Sequence, residues 1–317
     1  MYRFGRVYAS WAIVAAAACA ALPAHAQTPG VRPKNLIVYY GIPSLVNGSA
    51  GNVTAAEAVF NQYDYIIFGA GLQDPTSVYN ASTKTIIQYL VSQGKKVFGY
   101  EDIGVTTNNY AITKIQADAA NWVSMGVTGI FLDDFGYDYG VTRSRQSDAL
   151  DAVHSAGVGA ILNASNPDDV FRTPYGSTAY PHVYTNIDYY FYESYQISQG
   201  AYSPEAYWRW KSGAIAYLQT QFSPAFQVLS IATPDFSGTY NATKYGFSWS
   251  SALFDGHTAT GWANDQYYSA GSSALTFHTP PTTSPSHPNG HEYSLDANNG
   301  WLSIDYTTTV PSAYWTY

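Results

Sequence analysis

Short apolar runs recur along the chain, and between them lie longer stretches whose apolar residues fall three and four apart. The runs are "LIVYYGI" (Leu36–Ile42), "YIIFGAG" (Tyr65–Gly71), "KVFGYEDIG" (Lys96–Gly104) and "GIFLDDFG" (Gly129–Gly136). They continue with "VGAILNAS" (Val158–Ser165), "DYYFYESY" (Asp188–Tyr195), "FQVLSIATP" (Phe226–Pro234) and "TGWANDQYY" (Thr260–Tyr268). Their starts, at residues 36, 65, 96, 129, 158, 188, 226 and 260, predict eight strands spaced by about 30 residues. Between them the helical pattern is clear. "AITKIQADAANWVSMG" puts Ile112, Ile115, Ala119, Trp122 and Val123 on one face and stops at Gly126. "SRQSDALDAVHSAG" does the same with Ala149, Leu150 and Val153 before Gly157. "YSPEAYWRWKSGAIAYLQTQF" reads as a helix with Ser203 as N-cap and Pro204 in its first turn.

Eight strand–helix alternations in about 240 residues predict a (β/α)₈ barrel of the TIM type over residues 36–280. A doubly wound open sheet would be expected to carry a glycine-rich phosphate loop after its first strand, and none follows Ile42. Beyond residue 280, "TPPTTSPSHPNGHEYSLDANNG" is turn chemistry without a period, and "WLSIDYTTTV" suggests one more strand. Residues 281–317 are expected to form a short C-terminal extension packed on the barrel. At the other end, Arg3 and Arg6 precede the apolar run Trp11–Leu22 and the small-residue site Ala24–Ala26. That order predicts a cleavable signal peptide over residues 1–26, a linker over 27–35 and a secreted or periplasmic product. The run is too short for a spanning helix, and Cys19 lacks the aliphatic residue a lipoprotein site would place before it.

Composition changes the picture in two ways. Cys19 is the sole cysteine, so a processed chain would depend on its core and not on disulfides. Loss of Arg3 and Arg6 would move the net charge from −8 to −10. Such a surface disfavours nucleic acid and anionic polysaccharide, and no membrane partner is expected after cleavage. The chain carries 30 Tyr and 8 Trp, rings with a polar edge that suit the apolar faces and hydroxyl rims of sugars. A polysaccharide or oligosaccharide partner and a monomeric state are expected, with no cofactor or metal.

Strand ends then specify the chemistry. The C-terminal ends of barrel strands form the active-site face, and "GIFLDDFG" delivers Asp133 and Asp134 there. Alternation puts Asp133 on the side of Phe131 and Asp134 on the side of Leu132. Glu193 ends strand six in the same way. Two carboxylates across a barrel mouth suit glycoside hydrolysis, and an aromatic surround would raise Glu193 toward the acid role. Asn163 ends strand five, either touching a sugar hydroxyl, orienting Glu193 or capping a turn. Tyr40, Tyr100, Glu101, Asp102, Tyr195, Trp262 and Asp265 lie at the other strand ends and are expected to bind substrate.

"GIFLDD", the Asn of "ILNAS", "YYFYES" and the 60 residues from Asp133 to Glu193 resemble the spherulin-4-like glycoside hydrolases, kin of the endo-α-1,4-polygalactosaminidases. The resemblance implies internal cleavage of an α-linked, galactosamine-containing exopolysaccharide, with Asp133 as nucleophile and Glu193 as acid/base. It also implies retention, with carboxyls about 5–5.5 Å apart. The chain has Asp134 where many members have Glu, and "NAS" where they have "NPG". Other readings compete. A metal-dependent deacetylase would need two histidines on a helix, whereas His287 and His291 lie in the turn-like "HPNGH". Asp133, Asp134 and Asp138 lack the alternation of a calcium loop. A non-catalytic sugar-binding barrel would need no second buried acid facing the first. His154 and His182 read as structural.

Overall fold

The computed structural model of the chain describes residues 31–172, 188–222, 224–235, 237–263, 274–282, 293–297, 300–306 and 310–315. Eight parallel strands close on themselves: β1 (Lys34–Tyr39), β2 (Tyr65–Phe68), β3 (Lys96–Asp102), β4 (Gly129–Asp133), β5 (Gly159–Asn163), β6 (Tyr189–Glu193), β7 (Gln227–Ala232) and β8 (Ala259–Trp262). Each pairs with its neighbours in sequence, and β8 returns to β1 through Lys34 opposite Ala259. The helices are α1 (Val53–Phe60), α2 (Asn80–Ser92), α3 (Ile112–Met125), α4 (Arg143–Ser155), α5 (Pro167–Phe171), α6 (Glu205–Gln219) and α7 (Ala242–Phe254). This is the (β/α)₈ barrel that the strand spacing predicts, and the expected strand starts fall within two residues of the observed ones.

The strands are apolar throughout because both faces are covered, and alternation divides them into two cores. Leu36, Val38, Tyr65, Ile67, Phe98, Phe131, Ile161, Phe191, Leu229 and Ile231 fill the barrel interior. Their neighbours Ile37, Ile66, Val97, Ile130, Leu132, Leu162, Tyr190, Tyr192 and Val228 face the helices. One outward position must be small. A Cβ on Gly99 would lie 2.1 Å from the indole of the fully buried Trp122, so α3 seats its tryptophan directly on the β3 backbone.

Several local expectations change. Gly126 ends α3 in the left-handed conformation (φ 96°), as its position suggests. Helix α6, however, begins at Glu205 with Pro204 in the cap position, and no side chain caps it. Ser203 is instead drawn into the preceding hairpin, its N–H donating to the Gln196 carbonyl. The C-terminal region holds three strands and not one: β9 (Tyr293–Ala297), β10 (Gly300–Asp305) and β11 (Ser312–Trp315) form an antiparallel sheet. Ile304 and Ala313 join the outer core, and Tyr306 stacks on Trp208 of α6. The turn-rich sequence hides these strands because their pairing is with each other and with α6 and α7. The expected signal peptide, Asp265, His182, His287 and His291 lie outside the described residues. Among the described residues no helix is long and apolar enough to cross a membrane.

Replacing Gly99 by Ala should cost about 1–3 kcal/mol through overpacking against Trp122. The urea midpoint followed by circular dichroism measures this, and an unchanged midpoint would mean that α3 is free to move away from the sheet.

Candidate functional site

Three strand tips converge at the C-terminal mouth. Asp133, Asn163 and Glu193 are the last residues of β4, β5 and β6, and each follows an inward-facing residue by two: Phe131, Ile161 and Phe191. Strand alternation therefore aims all three side chains at the axis. The Asn163 amide nitrogen donates to Asp133 Oδ1 at 2.7 Å and to Glu193 Oε2 at 2.9 Å. Both oxygens hang on one nitrogen, so they lie no more than 5.6 Å apart, the sum of the two bonds.

The strands stop there for a backbone reason. The residue after each acid, Asp134 after Asp133 and Ser194 after Glu193, adopts the left-handed conformation, with φ of 54° and 55°. Non-glycine residues pay about 1 kcal/mol or more for that conformation. Each chain turns sharply and leaves its acid on the tip. The turns are anchored across the sheet, by Phe135 N–H to the Asn163 carbonyl and Tyr195 N–H to the Ile231 carbonyl, both 2.8 Å.

The two acids differ in their surroundings. Burial raises both above the usual carboxylate range, and the Asp133 charge raises Glu193 further. Asp133 is partly compensated by Asn163, the Tyr100 hydroxyl and the Asp134 N–H, whereas Glu193 has the Asn163 donor and the more distant Lys211 ammonium. With two carboxyls on one amide, the pair titrates as a unit in which Asp133 has more donors than Glu193. Asp134 turns toward Thr107 of the β3–α3 loop, and burial with Asp133, Asp102 and Glu193 nearby pushes it to about 7.

The remaining sequence candidates divide into two sets. Tyr40 and Tyr100 line the mouth, their rings edge-to-face at 5.3 Å, and Tyr100 leans on Phe131. Asp102 faces inward as well, but its oxygens are taken by Gly104 N–H, Thr107 Oγ1 and Asn108 Nδ2 at 2.6–2.8 Å, so it holds the loop over the site. Glu101, Tyr195 and Trp262 belong to the other face of the sheet. Glu101 is buried under the helices, bonded to Gln73 and Trp122 and raised to about 8, chiefly by burial. The Tyr195 hydroxyl donates to Asp255 in the outer core. Trp262 packs between Tyr240 and Tyr245. Strand parity, with Phe98, Tyr100 and Asp102 inward, turns Glu101 outward, and the same parity turns out Trp262.

Two side chains that the sequence reading passed over approach the pair. Tyr139, on the loop after β4, has its hydroxyl pushed to about 12 by burial and by Asp134, Glu193 and Asp133. Lys211, at 2% exposure, rests its ammonium 4.2 Å above the Tyr192 ring, and burial lowers it to about 7 against the pull of Glu193 and Asp138. Its signal was a lysine on the apolar side of α6, in register with Trp208, Ile215 and Leu218. His154 pairs with Asp188, away from the mouth, consistent with a structural role. Asp138 accepts from Ser165, and among the described residues no three acids or histidines gather as a metal-ligand set.

The chain is similar in fold to the glycoside hydrolase domain of PelA from Pseudomonas aeruginosa, at 14% identity and a TM-score of 0.45, covering 76% of this chain and 100% of that one. A variant of that domain gives a TM-score of 0.48 at the same identity and coverage. The tryptophan synthase A-subunit from Pyrococcus furiosus is similar at 10% identity and a TM-score of 0.45, covering 75% and 88%. No protein-family model and no curated protein matches the chain. At these identities and scores the likeness says nothing about chemistry.

Asp134 binds its proton near pH 7 in the fold and near 3.8 when unfolded. Between those values the folded state holds more protons at this group, so the contribution of Asp134 to stability is fullest below about pH 4 and declines as the pH rises toward 7. Asp134→Asn should flatten that decline by roughly 2 kcal/mol, half the unscreened value for a half-buried group. Urea unfolding at pH 4, 5, 6 and 7 measures it, and identical slopes in both proteins would contradict the placement of Asp134.

Proposed function

We propose that this chain is a glycoside hydrolase that cleaves within an α-linked, galactosamine-containing polysaccharide outside the cytoplasm, with retention of anomeric configuration. The observation that carries the reading is the Asn163 amide holding Asp133 and Glu193 together. An upper bound of 5.6 Å between the bonded oxygens supports the roughly 5–5.5 Å spacing of a retaining pair over the roughly 6.5–9.5 Å of an inverting one.

The residues divide the work by protonation. Asp133, supplied with three donors, is the ionised member and attacks the anomeric carbon, forming a glycosyl ester as the bond to the leaving oxygen breaks. Glu193, raised by burial and by Asp133, delivers its proton to that oxygen. In the second step Glu193 takes a proton from water, which attacks the anomeric carbon as its bond to the Asp133 oxygen breaks and frees Asp133. Asn163 fixes the distance in both steps. Asp134, near 7, positions a sugar hydroxyl and keeps negative charge near Glu193. Asp102, Asp133, Asp134 and Glu193 around one mouth favour a sugar with a free ammonium over a uronic acid, because like charges repel strongly where water is excluded. Tyr40 and Tyr100 offer ring faces at the floor of the same mouth.

Asp133→Asn and Glu193→Gln should each lower turnover of a partly de-N-acetylated galactosaminan by about a thousandfold or more while the thermal melt stays in place. Asp134→Asn should lose less, and a polyuronate should be cleaved more slowly than the amino-sugar polymer. Product release followed by mass spectrometry reads all three. Near-normal hydrolysis by both amide variants would sink the two-carboxylate mechanism, and polymer binding without any hydrolysis by the wild type would leave a sugar-binding barrel.

A further inference from the structure

Helix α6 carries three large aromatic side chains on its outer surface. Tyr207, Trp210 and Tyr217 are 41%, 48% and 49% exposed, among the most exposed large apolar side chains of the described residues. Isolated surface aromatics are ordinary, but these share a helix flank, within about 80° of arc at 100° per residue. The Tyr207 and Trp210 rings lie 5.7 Å apart at 44°, and the Arg172 guanidinium stands 5.8 Å from the Tyr217 ring. Between Trp210 and Tyr217 the chain has Gly213 and Ala214, too small to block a flat ligand. The adjoining flank of the helix, with Trp208, Lys211, Ile215 and Leu218, is buried against the barrel, and the exposed set lies outside that packed face.

The stripe is continuous with the mouth. Helices of this barrel run back from the C-terminal strand ends, so the first turn of α6, with Tyr207, stands at the rim beside the end of β6. The Tyr207 hydroxyl is raised by burial and by the Glu193 carboxylate, while 41% of the residue stays exposed. From Tyr207 to Tyr217 the helix advances about 15 Å, room for several sugar rings in a row.

We infer that Tyr207, Trp210 and Tyr217 form an aromatic track for the leaving-group half of a polysaccharide substrate, entered at Glu193 and running down the outside of α6. The inference rests on the proposed hydrolase reading, because the acid that protonates the leaving oxygen fixes the side on which the departing chain lies. Rings with polar edges and few charges around them suit the apolar faces and hydroxyl rims of sugars. A track of this kind lengthens the grip on the leaving-group side of the cut, and it therefore favours cleavage within long polymers over trimming of short ones.

The test pairs Trp210→Ala and Tyr217→Ala in one protein and compares partly de-N-acetylated galactosaminan with a short galactosaminide of small leaving group. The track predicts that kcat/KM on the long polymer falls about tenfold, carried by KM, and that the loss shrinks to less than twofold on the short substrate. Equal losses on both would overturn it in favour of a structural role, and so would no loss on the polymer. Binding is read separately by tryptophan fluorescence and by retardation in polymer-containing native gels. If the wild type hydrolyses nothing, a retardation that the double variant loses upholds the track while the hydrolase reading fails. No retardation of the wild type overturns the track. A shift in the wild type's oligomeric size that the double variant abolishes would also overturn it, and would assign the stripe to a second copy of the chain.

Discussion

One amide group sets the geometry of the mouth. Asn163 has two N–H bonds, and both are spent on carboxylates that would otherwise repel each other. A buried pair of acids is stable only if the protein controls where their charge sits, since two full negative charges at this distance are costly in a low-dielectric site. Sharing one donor brings the acids close. Asp133 has donors beyond the shared amide, from the Tyr100 hydroxyl and the Asp134 N–H, that Glu193 lacks. The rest of the structure supports this arrangement: β5 runs level with β4 through Leu162 opposite Leu132, and Asn163 pairs with Phe191, two residues before Glu193, so the barrel's stagger carries Glu193 past the end of β5.

The backbone contributes a second constraint. Left-handed residues immediately after Asp133 and Glu193 cut both strands short at the acids, and cross-sheet hydrogen bonds from the next residues hold the turns. The strain is repaid by precision, because a side chain on the last residue of a strand inherits the rigidity of the sheet. Around it, Asp102 ties down the β3–α3 loop with three hydrogen bonds, and that loop brings Thr107 to Asp134. The site is thus held from the sheet below and from one loop above.

Much of this was legible in the sequence. Eight apolar runs at regular spacing specify the barrel, because strands covered on both faces must be apolar throughout. An acid that ends such a run is conspicuous, which is why Asp133 and Glu193 stand out. Strand parity was harder. Glu101 and Trp262 also end apolar runs, and with both faces buried the pattern does not say which residues look inward. Phe98, Tyr100 and Asp102 occupy the interior of β3, and Glu101 is left to Gln73 and Trp122. Tyr195 lies two residues beyond Glu193, but the left-handed Ser194 between them breaks the alternation that would have put both on one face. Lys211, Tyr139 and Tyr207 feel the Glu193 charge from a helix and a loop. Their places depend on how α6 and the β4–α4 connection pack, which no local pattern records. The three C-terminal strands escaped for the same reason, as their partners are each other and the outer helices.

The central claim is that Asp133 attacks the sugar carbon while Asn163 holds Glu193 beside it. It is tested most directly by trapping the covalent step with an activated 2-deoxy-2-fluoro-α-galactoside, followed by intact-protein and peptide mass spectrometry. The account predicts a mass increase of one fluorosugar, mapped to the peptide spanning residues 129–136 with the ester on Asp133, and no adduct in Asp133→Asn. An adduct on Asp134 or Glu193, or turnover of the reagent with inverted product and no adduct, would contradict it.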